Sequence, residues 1–438
     1  MNFLEFGRQI GFWSLDKFKE GIIKKELRIM DQINSAPKEQ RETYQVKKIK
    51  ELLEHACTTT NYYSKNDARS LTSFPVITKS TIKENYDEFL SNRFNKDELY
   101  KMTTSGSTGT PFTCYQDYKK KKAVYAEVLY FNGAIGYSPG KRIIYLRSVV
   151  EECSKSVLKQ FAQNIYLVDC YDLSDSGIEK IIKNIERLTR NNKAMLMGYA
   201  STLDAFRDYF TRNKFKNPPK CNLYGIVSGS EMLFDDTRES MEKNFHCPCI
   251  SRYANEENGF LGQDFEENNI FFTNPAHYYY EVLKMNSNEI VENDEIGRIV
   301  VTDLRNFAMP MIRYDTGDVG RLVEIESKNG DTKQAIVDFG GRKIDVIYNC
   351  FGDRISPHSI TNLMWKYTDI NQYQLIQKNK NNYLVKINVD NFLRKKELKD
   401  DLLKVLGNIA NIKFEYVEEI PVLASGKRKY IVNESQGV

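Results

Sequence analysis

Thr103-Thr104-Ser105-Gly106-Ser107-Thr108-Gly109-Thr110-Pro111 is the stretch on which the reading of this chain turns. All of it but the closing proline is Ser, Thr or Gly, with Tyr100 ahead of it and Phe112 behind. Glycine lets the backbone adopt positive φ and approach a ligand closely, so such a loop can turn N–H groups and hydroxyls onto phosphate oxygens. It is not a Walker A loop, because that pattern needs Lys after the second Gly and Thr110 stands there. The other reading is a polar linker, which fits poorly between two helical segments of a compact domain.

The flanks place the loop in a fold. Upstream, residues 1–66 read as helical, with Val46, Ile49, Leu52, Leu53 and Ala56 near 3.6-residue spacing. FPVITKSTIKENYDEFL (74–90) predicts an extended entry and then a helix capped near Thr78 or Ser80. Downstream, the pattern predicts helices over 117–133, 178–190 and 203–212, strands over 141–147 and 194–200, and a strand then a turn over 222–233. Strands alternating with helices to about residue 250 imply an α/β sheet, and the strand-rich 250–322 implies an added β subdomain. From about 344 the pattern restarts: a helix at 357–367, a hairpin, a charged helix at 393–409 and a last strand at 413–421. The expected fold class is α/β, with a large multi-subdomain domain over 1–343 and a small α+β domain over 344–438.

Composition narrows the function classes. A chain of 438 residues, 41% hydrophobic, can bury a sizeable core, which excludes a wholly disordered chain. Lys+Arg exceed Asp+Glu by 63 to 59 with no basic stripe, so a nucleic-acid partner is not expected. No run of 18 apolar residues exists, so no membrane span is expected. The opening MNFLEFGRQIGFWSLDKFKE lacks the basic–apolar–small order of a signal peptide, and the expected address is the cytoplasm. Eight scattered Cys without a CxxC argue against a disulfide framework. His246, Cys247 and Cys249 offer three metal candidates where a zinc site needs four, and a buried strand entering a loop is the simpler reading.

Four further segments carry candidate chemistry, each with a plainer alternative. MPMIRYDTGDVG (309–320) ends an apolar strand in a turn with Asp315 and Asp318; a carboxylate there suits ribose hydroxyls, and an ordinary Asx turn is the alternative. GGRKIDVI (340–347) falls where the pattern restarts and reads as a hinge or a plain linker. Tyr253-Ala254-Asn255-Glu256-Glu257 sets an aromatic four residues before a carboxylate that can hold Mg²⁺; a solvated acidic turn is the alternative. Lys427 follows Ser-Gly near the C-terminus and alone would pass for a surface lysine.

Together, TTSGSTGTP, SGSE (228–231), YANEE, RYDTGD, GRKID and SGK resemble the adenylate-forming superfamily in order and content. IKELLEHACTTTNYYSK (49–65) and FPVITKSTIKENYDEF resemble its phenylacetate–coenzyme A ligase branch, closest to the capsular-polysaccharide-biosynthesis relatives. The resemblance implies a loop, Thr104, Ser105, Gly106, Ser107, Thr108 and Gly109, that holds the ATP β- and γ-phosphates. It implies Ser230, Glu231 and Tyr253 around the adenine, Asp318 and Arg342 on the ribose, and Glu257 as the Mg²⁺ carboxylate. Lys427 would be the catalytic lysine, Lys343 and Ile344 the hinge, and Tyr199, Tyr224 and Gly229 the walls of a pocket for an aryl or small acyl acid. Three positions depart from the family pattern: Ala254 for Gly, Asp315 for Arg, and Ile344 for the first Asp of the hinge.

The implied activity is attack of a small carboxylic acid on the ATP α-phosphorus with Mg²⁺, giving an acyl-adenylate. Transfer follows to a thiol of coenzyme A or a carrier protein, or to an amino-sugar amine, in capsule or O-antigen biosynthesis. Two alternatives stay open at this point: transfer of AMP itself to a hydroxyl or phosphate acceptor, and a non-catalytic nucleotide-binding scaffold.

Overall fold

A computed structural model describes residues 2–104, 112–148, 156–213, 219–265, 268–292, 295–326, 330, 332–340, 347–355, 357–364, 366–367, 369–389, 392–420 and 429–434. Three helices open the chain, α1 (Phe3–Phe18), α2 (Ile22–Ile33) and α3 (Lys38–Thr59), followed by the short α4 (Lys79–Glu84). Thr78 caps α4 as expected, its hydroxyl accepting from the Thr81 N–H. Next come a hairpin of β1 (Tyr100–Thr104) and β2 (Phe112–Gln116), and α5 (Tyr118–Gly133). Asp117 caps α5 through the Lys120 N–H at 2.9 Å.

The chain then enters an eleven-stranded sheet. Strands β3 (Arg142–Arg147), β4 (Ile165–Asp169), β5 (Ala194–Tyr199), β6 (Leu223–Gly229) and β7 (Cys249–Asn255) are parallel. Helices α6 (Val157–Gln163), α7 (Asp175–Thr189), α8 (Ala200–Asn213) and α9 (Asp235–Phe245) lie between them in the chain. Every residue of β5 is buried, the mark of a strand covered on both faces. In α7, Ile178, Ile181, Ile182, Ile185 and Leu188 form one apolar stripe, all buried against this half of the sheet. Each such side chain contributes about 1.5–3 kcal/mol by leaving water.

At β7 the sheet changes character. β8 (Gly259–Gln263), β9 (Phe271–Thr273), β10 (Tyr278–Leu283), β11 (Gly297–Asp303), β12 (Tyr314–Glu326) and β13 (Thr332–Gly340) continue it antiparallel, in the order β7-β8-β9-β13-β12-β11-β10. The strand-rich expectation for 250–322 thus corresponds to the second half of one continuous sheet.

The C-terminal region has its own core. It contains β14 (Ile347–Tyr348), β15 (Arg354–Ile355), α10 (Pro357–Met364), β16 (Gln372–Gln377), β17 (Asn382–Asn388), α11 (Lys395–Leu406), β18 (Asn411–Tyr416) and β19 (Ile431–Asn433). Four strands form a sheet in the order β18-β17-β16-β19. Its buried cluster draws only on residues from Ile347 to Ile431. Tyr383, Val385 and Ile387 alternate inward along β17, the pattern of a sheet with one face packed. Contacts with the larger part include Ser148 Oγ–Ser359 Oγ at 2.9 Å and Tyr171 OH on the Val405 carbonyl at 2.7 Å. The strand expected last, at 413–421, is β18; β19 follows it and pairs parallel with β16.

Candidate active site at the edge of the parallel strands

β3, β5, β6 and β7 end together at the carboxyl edge of the parallel half, the usual place for a ligand crevice in an open α/β sheet. Tyr253, near the end of β7, is buried and donates its hydroxyl to Asp318 Oδ2 at 3.2 Å. Burial first, and then the Asp318 carboxylate, push the Tyr253 phenol well above its ordinary range, so it stays a donor. Its ring packs on Phe339, with centroids 4.6 Å apart. Asp318 sits in a turn made by its own sequence. Gly317 has φ +70°, its N–H reaches Asp315 Oδ1 at 2.8 Å, and the Asp318 N–H reaches Thr316 Oγ1 at 3.1 Å. This is an Asx turn, the plainer reading of RYDTGD, and it carries Asp318 to Tyr253.

Glu257 follows in the turn after β7. It is buried, its carboxylate pairs with the Lys79 ammonium, and it accepts from Tyr314 OH at 3.2 Å. Its backbone carbonyl accepts from Gln116 Nε2 at 3.4 Å, which docks β2 against the Glu257 turn. Thr104 pairs with Phe112 across β1 and β2, so the two ends of the hydroxyl-rich loop meet beside that turn. The Lys79 ammonium lies 5.7 Å from the centroid of the Phe112 ring. Arg313 ties this corner together: its guanidinium bonds Glu281 at 3.0 Å and the Phe74 carbonyl at 3.0 Å. Ile77 makes two backbone bonds across to the Arg313 carbonyl and the Asp315 N–H.

These observations can be set against known proteins. Protein CapK of Staphylococcus aureus is 24% identical over 379 residues, which is 83% of this chain and 80% of CapK. A family model described as the CapK C-terminal domain matches residues 347–434. Among solved structures, 2-hydroxyisobutyryl-CoA ligase in complex with 2-HIB-AMP and CoA in the thioesterification state superposes with a TM-score of 0.61 at 14% identity. That match covers 92% of this chain and 91% of the ligase. The same ligase in the postadenylation state with R3-HIB-AMP gives 0.58, covering 92% of each chain. The chain has the fold of that ligase and is similar to CapK, with its C-terminal region matching the CapK C-terminal domain.

The rest of the expected site divides three ways. Ser230, with φ +71°, and Glu231 form the turn after β6. The Glu231 carboxylate accepts from the Ser201 N–H at 2.7 Å and its hydroxyl at 3.2 Å, so it caps the start of α8. Tyr199 and Gly229 end β5 and β6 at the crevice edge. Tyr224 does not join them. It lies near the start of β6 with its hydroxyl on the Arg142 carbonyl at 3.4 Å, at the opposite edge of the sheet. Five steps along the strand separate it from Gly229, about 17 Å of extended chain. Ser105, Gly106, Ser107, Thr108, Gly109, Arg342, Lys343, Ile344 and Lys427 lie outside the described residues, as does the Thr104 side chain. Cys249 is buried in the main core and Cys247 nearly so; among the described residues no group of three or more His, Cys, Asp or Glu is placed to hold a metal.

Two residues of the site were not singled out from sequence. Lys79 lay within a stretch read for its helix start and for its resemblance. Its signal was local: it is the first residue of α4, where the helix dipole disfavours a cation, so its position asks for another explanation. Arg252 precedes Tyr253 on β7. Its guanidinium lies over the Phe260 ring at 4.6 Å, and its Nη2 is 3.1 Å from where a Cβ on Gly229 would stand. The Arg252 Nε is buried and makes no hydrogen bond among the described residues.

Proposed function

We propose that the chain activates a small carboxylic acid with ATP as an acyl-adenylate and passes the acyl group to a thiol or amine. The observation that carries this reading is the Tyr253–Asp318 bond beside buried Glu257, at the mouth of the hairpin that bears the hydroxyl-rich loop. Tyr253 packs against adenine and Asp318 holds the ribose; Arg342 reaches the same ribose. Thr104, Ser105, Gly106, Ser107, Thr108 and Gly109 grip the departing pyrophosphate, and Ser230 and Glu231 shape the turn beside the base.

The barrier is repulsion between an anionic nucleophile and a polyanion, so catalysis consists of positioning and opposing charge. Glu257 is a single hard carboxylate, which suits Mg²⁺ when the nucleotide phosphates and water supply the remaining oxygens. Bound there, Mg²⁺ supplies positive charge against the phosphates. Lys427 supplies a second, as a point charge on a long stem. Residues 344–438 move as a unit about Lys343 and Ile344. The separate core of that region and its small polar contacts with the larger part support such a motion.

The acid sits between Tyr199 and Gly229. Arg252 faces that place, which favours an acid with a second polar or anionic group over a plain phenylacetate. The acceptor is coenzyme A, a carrier protein or an amino sugar, and the setting is cytoplasmic polysaccharide assembly in the manner of the capsule-related branch.

The test is a pyrophosphate-release screen over aryl, hydroxy and dicarboxylic acids, followed by product analysis. Lys427→Ala should lose acid-dependent pyrophosphate exchange by about 10² or more while still binding ATP. Unchanged exchange, or a stable AMP diester as product, overturns the proposal.

A further inference from the structure

Helix α1 packs Phe12 and Trp13 inward but also buries carboxylates and exposes apolar side chains. Its polar residues Glu5 and Asp16 are buried. Glu5 completes a capping box with Asn2. The Asp16 carboxylate accepts the Ile23 and Lys24 N–H groups at 3.1 and 3.2 Å, capping α2, whose own N-cap is Gly21. The outward arc instead carries Phe3, Leu4, Phe6, Ile10, Leu15 and Phe18, each more than half exposed, with Phe3 at 87% and Phe18 at 89%. Gly7 and Gly11 lie on the same arc, with nothing within 4 Å of where a Cβ would stand. Arg8 bonds the Phe161 carbonyl at 2.8 Å and so sets α6 beside α1, adding Val157 at 80% exposed, Leu158 at 82% and Phe161 at 54%. Among the described residues no element packs on this face. So large an apolar surface, broken on α1 by Ser14 and Lys17, marks an interaction site.

The surroundings say what kind. A groove of about 610 Å³ runs between α1 and α2, with Ile10 and Trp13 on its wall and Lys17, Lys24, Lys25 and Arg28 around it. Asp16, already engaged as a cap, and Glu20 are its acidic residues. Lys19 and Lys122 stand near enough that the Lys19 charge, after burial, helps hold the Lys122 ammonium below its ordinary pKa. A second copy of the chain on this face would set cations against cations, which a two-fold interface penalises. An anionic bilayer satisfies both features: apolar side chains enter the acyl boundary while the cations meet phosphates. No helix among the described residues is long and apolar enough to cross a membrane, so α1 would lie in the interface plane.

We propose that α1, with α6 beside it, is an in-plane anchor that docks the protein on an anionic phospholipid surface. The experiment is co-sedimentation of the full chain with vesicles of phosphatidylcholine alone or with about 30 mol% phosphatidylglycerol. Binding is expected on the anionic vesicles and should fall about fivefold or more when salt is raised. The triple variant Phe3→Ser, Ile10→Ser, Phe18→Ser should lose about tenfold in binding. Lys24→Glu with Lys25→Glu should abolish the preference for phosphatidylglycerol. Circular dichroism and thermal midpoint check that both variants remain folded. No binding by the wild-type chain, or binding that the triple variant retains, overturns the proposal. So does a wild-type dimer in sedimentation velocity that the triple variant dissolves without any vesicle binding.

Discussion

Replacing Lys79 by Met tests whether the Glu257 corner is held as the geometry describes. The Glu257 side chain is 2% exposed and Lys79 16%, so the pair is nearly dry on the acid's side and partly wet on the amine's. At a contact of about 3 Å and an effective dielectric near 20, the gross attraction is about 5–6 kcal/mol. Much of that offsets desolvation, but removing one partner leaves the other buried and unpaired, which typically costs about 3–5 kcal/mol. Tyr314 still donates to Glu257 and some water reaches the vacated place, so Lys79→Met should lower stability by about 2–4 kcal/mol. Glu257→Gln alone strands the ammonium but leaves it a path to water, so it should cost less. The double variant should recover about 2 kcal/mol or more relative to the sum of the singles. Urea unfolding of all four proteins, followed by tryptophan fluorescence and circular dichroism, measures the cycle. A coupling near zero would refute the claim that these two charges hold one another.

Three shorter tests bear on the remaining geometry. Tyr253→Phe removes the donor to Asp318 and should raise the KM for ATP by about tenfold with little change in thermal midpoint, since a hydrogen bond to a charged group is worth about 1.5–3 kcal/mol. Arg298→Ala strips Asp315 of its ion-pair partner and loosens the Gly317–Asp318 turn; nucleotide affinity measured by calorimetry should fall by about three- to tenfold. Gly229→Val places branched carbon where Arg252 Nη2 would be 3.1 Å from the new Cβ, so acid-dependent pyrophosphate exchange should fall while ATP binding is kept. An equal loss of both would show that the strand, and not the acid's place, was disturbed.

Much of the fold was legible because its signals are periodic. The α7 stripe and the alternation in β17 follow from backbone geometry alone. What escaped has little local signal. β1 and β2 are five residues each and bracket a loop whose composition drew the eye away from its flanks. β19 is three residues long and exists because β16 offers it a parallel edge, a contact across more than fifty residues. The resemblance puts Tyr224 beside Gly229 in the pocket. Along an extended strand that proximity does not hold, because each residue adds about 3.3 Å and the two lie at opposite edges of the sheet.

The departures from the family pattern also look different in three dimensions. Asp315 stands where the resembled family pattern has Arg, which in the linear sequence puts a negative charge in place of a positive one. In the structure Asp315 is paired with Arg298 on the neighbouring strand β11, so its carboxylate is neutralised by another element. The side chain at 315 has also gained a task that arginine could not perform: its Oδ1 accepts the Gly317 N–H and so sets the turn that presents Asp318. Arg298 carries the charge while bonding the Lys284 and Ser287 carbonyls, which fixes it from its own side of the sheet. Charge at a site is a property of the space around it and not of one column of sequence. The same turn holds an acid at position 318 against the Tyr253 hydroxyl, so the substitution at 315 leaves the carboxylate at 318 in a defined place.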